Sequence, residues 1–204
     1  MLNSHDRFMI EEILPSIRKA LFNEDKLFKR KIHSSIHTDF YLEDVKGIAS
    51  YILTERTLQY VIFRELCKTY KIFPEDLAYL NSKERMDLSI YKNTKDLSKF
   101  AEIGIELKQV SFRNDGNLYK NGLDSLISDF EKIKRAGNRN KYIILFGLHN
   151  KKCIEIEGFN KFLSKSIDNR KFKKFGLSLI NQVSFKTDGY NERNYYLINL
   201  LKVK

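Results

Sequence analysis

Cysteine is scarce in this sequence, and long apolar segments are missing. The chain of 204 residues has two cysteines. Cys67 and Cys153 stand far apart in apolar surroundings, which excludes a disulfide framework and predicts reduced thiols in the core. No apolar run approaches the ~18 residues that a membrane helix needs, and the first residues lack the features of a signal region. We therefore expect a soluble, cytoplasmic protein with no membrane partner.

Motifs for several common kinds of site are also missing. The sequence has no zinc-finger spacing, no glycine-rich phosphate loop and no internal repeat. His33 and His37 are four residues apart, as in some zinc-binding helices, but no third ligand is apparent and we expect both at the surface. His149 follows an apolar run, and we expect it in a loop. These features exclude a zinc site.

What the sequence does contain is positive charge. It has 37 lysines and arginines against 26 acidic residues, which gives a net charge of +11, and its hydrophobic share of 42% is that of a folded protein. Such a charge attracts polyanions, among which nucleic acid and an acidic membrane surface are the candidate classes, and we expect nucleic acid as the partner. The candidate phosphate contacts are Lys132, Lys134, Arg135, Arg139, Lys141, Lys165, Arg170, Lys171, Lys173, Lys174, Arg113 and Lys120.

Apolar periodicity predicts an α/β protein. Helical spacing predicts helices over 6–23, 45–70, 123–135 and 159–172, with Pro15 as a kink or boundary in the first. Alternating or continuous apolar runs predict strands over 85–91, 100–110, 141–147, 177–185 and 195–203. Pro74 is expected to end the second helical region and to open a loop. We expect a mixed sheet between helices, in which the first two strands form a hairpin.

The second predicted strand carries charge on one face. Glu106 and Lys108 are two residues apart, so both project from the same face, while Ile105 and Leu107 point into the core. A carboxylate and an ammonium in such a position cost desolvation energy unless they have partners or a task. The alternative is an exposed sheet face on which Glu106 and Lys108 form a solvated ion pair.

The preceding strand adds a second carboxylate, Asp87. One hairpin register sets Asp87 opposite Glu106 and another sets it opposite Glu102, and either brings two Cβ atoms to about 4.5–5.5 Å. A divalent cation relieves the repulsion between such carboxylates, and all-oxygen ligation favours Mg²⁺, for which Mn²⁺ can substitute. Beside this pair, Lys108 suits phosphodiester hydrolysis, because it can orient a water or stabilise charge that grows on phosphorus.

These residues resemble the motif of the PD-(D/E)XK nuclease superfamily, which has the restriction-endonuclease-like fold. The match comprises Asp87, eighteen intervening residues, and Glu106-Leu107-Lys108. Met86 stands where the family has proline. The resemblance implies that Asp87 and Glu106 are metal ligands and that Lys108 is the catalytic lysine.

The preceding helix of the family often carries a further glutamate, and Glu55 lies in the matching place. The resemblance implies Glu55 as an auxiliary metal ligand of the site. By strand alternation Glu102 faces the same side as Glu106, which makes it an acid beside the ligands or an alternative ligand. The resemblance also implies an αβββαβ core over 45–147 within a single nuclease domain, 1–204. Residues 1–44 are then an N-terminal helical extension and residues 148–204 a C-terminal α+β extension.

We therefore expect a Mg²⁺-dependent endonuclease that hydrolyses DNA phosphodiester bonds, leaves a 5′-phosphate and serves restriction or genome defence. Cutting two strands requires two sites, so a homodimer is expected. One alternative is a nucleic-acid-binding or assembly subunit of the same fold without its own turnover. Another alternative is an RNA-directed nuclease.

Overall fold

The structure is a computed structural model. It describes residues 2–35, 54–76, 79, 83–91, 101–110, 120–150, 176–187 and 195–204. The helical segments are α1 (Ser4–Phe8), a π-helical turn (Met9–Ile13), α2 (Leu14–Ser35), α3 (Glu55–Leu66) and α4 (Lys120–Lys134). The strands are β1 (Ile72–Asp76), β2 (Met86–Ile90), β3 (Ile103–Gln109), β4 (Asn140–His149), β5 (Ser178–Lys186) and β6 (Tyr195–Val203).

The N-terminal helical region passes through a π-helical turn. α1 begins after Asn3, whose side chain accepts a hydrogen bond from the Asp6 N–H while the Asp6 carboxylate accepts one from the Asn3 N–H. In the π-helical turn, the Leu14 N–H donates to the carbonyl of Met9, five residues back. Pro15 has no N–H and crowds the preceding turn, and the wider turn accommodates it. The helix therefore continues to the end of α2, beyond the predicted boundary at residue 23.

The second predicted helix is described from residue 54 onwards. Thr54 caps α3 by accepting a hydrogen bond from the Thr57 N–H. The predicted apolar stripe is buried at Leu58, Val61, Ile62 and Leu66, and its part before residue 54 lies outside the described residues.

The expected environment of Cys67 is wrong. Cys67 follows the last turn of α3 and is exposed, with a free thiol. Its neighbour Leu66 belongs to the buried stripe of the helix, whereas Cys67 lies off that stripe. Cys153 lies outside the described residues, as does the helix predicted over 159–172.

The six strands form one mixed sheet in the order β1-β2-β3-β4-β6-β5. β3 and β4 are parallel, and every other neighbouring pair is antiparallel. α4 makes the crossover between the two parallel strands, which need such a connection. The four strands predicted around 85–91, 100–110, 177–185 and 195–203 are confirmed, and so is the antiparallel pairing of β2 with β3.

The sequence prediction missed β1. Pro74 was expected to open a loop, but it pairs with Leu88 within this strand. β1 lies at the sheet edge, where proline is tolerated because one side of the strand makes no ladder hydrogen bonds. The chain is therefore in strand β1 from Pro74 to Asp76, where the loop was expected.

The predicted central strand is confirmed and is longer than expected. β4 lies between β3 and β6, and residues 142–147 are all buried. His149, expected in a loop, is the last residue of β4 and is only 2% exposed. The antiparallel partner β6 extends to this point, with Tyr195 opposite His149, and this pairing keeps His149 in the sheet.

Helices cover both faces of the sheet. α1, the π-helical turn, α2 and α3 pack on one face, in a cluster that includes Leu88, Ile105 and Leu107. α4 packs on the other face through Phe130 and Ile133. Residues of β5 and β6 contribute to both clusters. No helix in the described part of the chain is both long and apolar enough to cross a membrane.

Candidate active site

The register of β2 against β3 decides which carboxylates face each other. Leu88 pairs with Ile105 and Ser89 pairs with Gly104. Continuing this register one residue further places Asp87 opposite Glu106. The Leu107 N–H donates to Asp87 Oδ2 at 2.7 Å.

The alternative register, with Asp87 opposite Glu102, is wrong. Glu102 immediately precedes β3 and its carboxylate contacts the His5 ring of α1. This contact joins the N-terminal helix to the start of the strand. The structure therefore places Glu102 away from the facing carboxylates.

Glu106 is the most enclosed member of the site. It points towards α4 and is 3% exposed. The Tyr79 hydroxyl donates to its Oε1 at 2.6 Å. Lys132 Nζ lies 2.9 Å from Oε1 and 3.0 Å from Oε2. The ammonium group is also 5.3 Å from the centre of the Tyr79 ring. The segment before β2, strand β3 and helix α4 therefore meet at the Glu106 carboxylate.

Both carboxyl groups are hard to ionise together. Burial and the charge of Asp87 raise the pKa of Glu106 to about 8, although Lys132 and Tyr79 oppose that rise. Burial also raises the pKa of Asp87, against the lowering effect of the Leu107 N–H. A desolvated pair of this kind is stabilised by a positive charge, whether a proton, an ammonium or a metal cation.

Lys108 lies on the same face of β3 but makes different contacts. Its Nζ is 2.9 Å from Asp129 Oδ2 on α4 and 3.5 Å from Glu55 Oε2 on α3. Burial alone would lower the pKa of Lys108, but the hydrogen bond and charge of Asp129, with those of Glu55, raise it above its ordinary value. The side chain is therefore protonated at neutral pH.

The alternative interpretation of Glu106 and Lys108, an ion pair in solvent, is wrong. Glu106 and Lys108 do not form a solvated ion pair on an exposed face, since α4 covers that face. Lys132 neutralises Glu106, and Asp129 neutralises Lys108. Two ion pairs of opposite polarity, Glu106 with Lys132 and Lys108 with Asp129, thus join β3 to α4.

Glu55 lies at the margin of the site. It is the first residue of α3, its side chain is 45% exposed, and its Oε2 accepts a 3.4 Å hydrogen bond from the Gln109 N–H. One turn later, Gln59 donates to the backbone carbonyl of Asp87 at 2.7 Å. This bond fixes the start of α3 over β2 and β3 and so places Glu55 beside Lys108.

Sequence reasoning missed Tyr79, Asp129 and Lys132 as members of the site. Tyr79 lies in the segment expected to be loop, where it forms an isolated bridge with Ala136. Asp129 and Lys132 are three residues apart and flank the buried stripe of α4. Opposite charges beside an apolar stripe were the available signal, but they do not identify the strand residues that pair with them.

Several basic residues proposed as phosphate contacts have partners within the protein. Lys132 pairs with Glu106, Arg135 makes two hydrogen bonds to Glu84, and Lys141 donates to the backbone carbonyl of Lys134. Those beyond residue 150, together with Arg113, lie outside the described residues.

Comparison with known proteins gives no family assignment for this chain. No protein-family model, curated protein or solved structure matches the chain. The chemistry of the site must therefore be inferred from its geometry.

A divalent cation fits this donor set on chemical grounds. Asp87 and Glu106 offer carboxylate oxygens from facing positions, and both pKa values are raised by burial, so the pair favours a positive charge. Within the described residues, no group of three His, Cys, Asp or Glu side chains is close enough to hold a metal. Mg²⁺ commonly binds through one or two carboxylates and keeps several waters, so two carboxylates suffice.

Proposed function

We propose that this protein is a Mg²⁺-dependent endonuclease that hydrolyses DNA phosphodiester bonds, in restriction or genome defence. One observation carries the proposal. Asp87 faces Glu106 across two antiparallel strands, and Lys108 follows on the same face of β3. This is the arrangement that the PD-(D/E)XK motif implies.

The order of elements supports the same proposal. From α3 onwards, the described chain runs helix, three antiparallel strands, helix and a strand parallel to the third. The resemblance implies that order for the αβββαβ core of a restriction-endonuclease-like fold. The motif lies on two consecutive strands of this core, β2 and β3, as the resemblance implies.

The two facing carboxylates have the task of binding the cation. Asp87 is oriented by the Leu107 N–H, and Glu106 by the Tyr79 hydroxyl. A bound Mg²⁺ would polarise a phosphate oxygen and lower the pKa of a coordinated water. Because Glu106 is almost fully enclosed, its charge is poorly screened by solvent and acts strongly on whatever binds there.

Lys108 supplies positive charge beside this pair. Asp129 and Glu55 keep its ammonium protonated and hold it between α3 and α4. A preorganised ammonium stabilises negative charge that develops on a phosphate during hydrolysis. Glu55 is positioned by Gln109 and Lys108, and it completes the site by orienting Lys108 or by joining the metal ligands.

A cleavage assay tests the proposal. Supercoiled plasmid and DNA and RNA oligonucleotides are incubated with Mg²⁺, with Mn²⁺ and with EDTA. We expect DNA cleavage that EDTA abolishes, and loss of cleavage in Asp87→Asn, Glu106→Gln and Lys108→Met. Glu65→Gln is a matched control on α3, since Glu65 pairs with Lys68 and with none of the site residues that the structure describes, and it should cleave normally. Full activity in any of the three site variants contradicts the proposal.

The internal ion pairs favour a second candidate, a nucleic-acid-binding or assembly subunit without turnover. Glu106 already has an ion pair with Lys132 and a hydrogen bond from Tyr79, and Lys108 has an ion pair with Asp129. The site is therefore stable without a metal. Binding of DNA or RNA without cleavage, under all metal conditions, would favour this candidate. Preferential cleavage of the RNA oligonucleotides would instead indicate an RNA-directed nuclease.

Partner and assembly follow from the same proposal. The net charge of +11 attracts nucleic acid to a site whose own carboxylates repel phosphate. Because a double-strand break requires two sites, we propose a homodimer. Sedimentation of the protein with and without duplex DNA tests this assembly.

A further inference from the structure

Lys132 makes the closest cationic contact to the carboxylate pair. Its Nζ lies within 3.0 Å of both oxygens of Glu106, whereas Lys108 of the motif is turned towards Asp129. An ammonium between both oxygens of one carboxylate occupies the side of that group from which a metal would bind it. Lys132 and a divalent cation therefore compete for Glu106.

The surroundings of Lys132 allow it to leave. Its side chain extends from the last turns of α4 and is 22% exposed, while the Glu106 side chain is 5% exposed. The lysine thus reaches inward from the edge of the site, and rotation of its flexible stem returns the ammonium to solvent. Tyr79 stays behind, because its ring is buried and its hydroxyl holds Glu106 Oε1.

We infer that Lys132 is the counter-ion of Glu106 in the metal-free protein, and that a divalent cation binds by displacing its ammonium. This inference rests on the proposed metal site at Asp87 and Glu106. It assigns Lys132 as a positioning residue, because its ammonium holds the Glu106 carboxyl group in place until a metal binds. Metal affinity is then set by an exchange of cations as well as by the carboxylates.

Titration calorimetry with Mn²⁺ tests the exchange. We expect Lys132→Met to lower the dissociation constant at least tenfold, because no ammonium has to be displaced. Lys132→Arg retains the charge and should bind Mn²⁺ no more tightly than the unmodified protein. Lys134→Met, an exposed position two residues further on α4, is the matched control and should change the constant less than twofold.

The outcomes separate this inference from the proposed function. Equal or weaker Mn²⁺ binding by Lys132→Met, with binding still abolished by Asp87→Asn, overturns the exchange and leaves the metal site standing. Absence of any Mn²⁺ binding that depends on Asp87 and Glu106 overturns both. Neither result can be mistaken for the other, because Asp87→Asn is measured alongside.

A second measurement needs no charge-removing variant. In protein labelled with ¹³C at the lysine ε-carbons, the Lys132 resonance is assigned by its loss in Lys132→Arg. We expect this resonance to move towards that of a solvated lysine as Mg²⁺ saturates, while the Lys134 resonance stays in place. A Lys132 resonance that does not move at saturating Mg²⁺ overturns the inference even if Lys132→Met fails to fold.

Discussion

Asp87 and Glu106 face each other across β2 and β3, and burial raises the pKa of both carboxyl groups. The backbone N–H of Leu107 fixes one carboxyl, and Tyr79 and Lys132 fix the other. Burial of both groups means that ionising the pair costs free energy unless a positive charge is added. A cation bound between the two groups would therefore stabilise the ionised pair.

The first prediction concerns the pH dependence of stability without metal. The pKa of Glu106 is raised by burial from 4.5 to about 8, so the folded protein binds this proton more tightly than the unfolded chain. The stabilisation is complete below pH 4.5 and is lost as pH rises through about 8. At about 1.4 kcal/mol per pKa unit, we expect the free energy of unfolding in EDTA to fall by a few kcal/mol between pH 5 and pH 8.5.

Glu106→Gln is the control for this titration. Glutamine keeps the shape of the side chain but cannot ionise, so most of the decline with pH should disappear in urea denaturation series. Addition of Mg²⁺ at pH 8.5 should restore stability to the unmodified protein and leave this variant unchanged. An unaltered pH dependence in Glu106→Gln would show that another group is responsible.

The second prediction concerns Lys108 and its ion pair with Asp129. Replacement by methionine should lower the cleavage rate by about 100-fold or more, the usual cost of losing one preorganised charge. Asp129→Asn should cost less. It should also move the alkaline limb of the pH–rate profile to lower pH, because Asp129 raises the pKa of Lys108.

Asp124→Asn is the matched control for Asp129. Asp124 is exposed on the same helix, so neither the rate nor the pH profile should change. If Asp129→Asn lowers the rate without moving the alkaline limb, its role is structural and the assignment to Lys108 is wrong.

The third prediction concerns a buried ion pair distant from the candidate site. Asp6 is 2% exposed and accepts hydrogen bonds from the Tyr142 hydroxyl and from Lys202 Nζ, each at 2.8 Å. These contacts tie α1 to β4 and β6. Asp6→Asn leaves Lys202 without its anionic partner and should lower the free energy of unfolding by about 3 kcal/mol.

Urea denaturation measures this effect, with Glu11→Gln as control. Glu11 is exposed in the π-helical turn, so its substitution should change stability by less than about 0.5 kcal/mol. Nuclease activity per folded molecule should be normal in both variants. A loss below about 1 kcal/mol for Asp6→Asn would mean that the three-residue contact is not needed for stability.

Most of the sheet could be predicted because its strands have simple patterns. Period-two alternation identified β2 and β3, and a continuous apolar run identified β4. The edge strand β1 could not be found this way, since Pro74 normally marks a loop and is tolerated only where one side of a strand is unpaired. Cys67 was misplaced because neighbours in sequence do not show which side of a helix end is buried.

Only the residues of the candidate site that lie on the β2–β3 hairpin could be predicted from the sequence. Strand alternation placed Glu106 and Lys108 on one face and left two registers open for Asp87. The contacts of Lys132 and Asp129 depend on how α4 packs over β3 after the parallel crossover. Helix packing of that kind joins residues 20 or more positions apart, and no local pattern in one sequence specifies it.

Anomalous diffraction from crystals soaked in Mn²⁺ tests the central claim most directly. We predict a peak in contact with carboxylate oxygens of both Asp87 and Glu106, with the Lys132 ammonium withdrawn from Glu106. The same soak of Asp87→Asn crystals should give no peak at this position. A Mn²⁺ peak elsewhere in the protein, with Lys132 still bound to Glu106, would contradict the assignment of this carboxylate pair as the metal site of a nuclease.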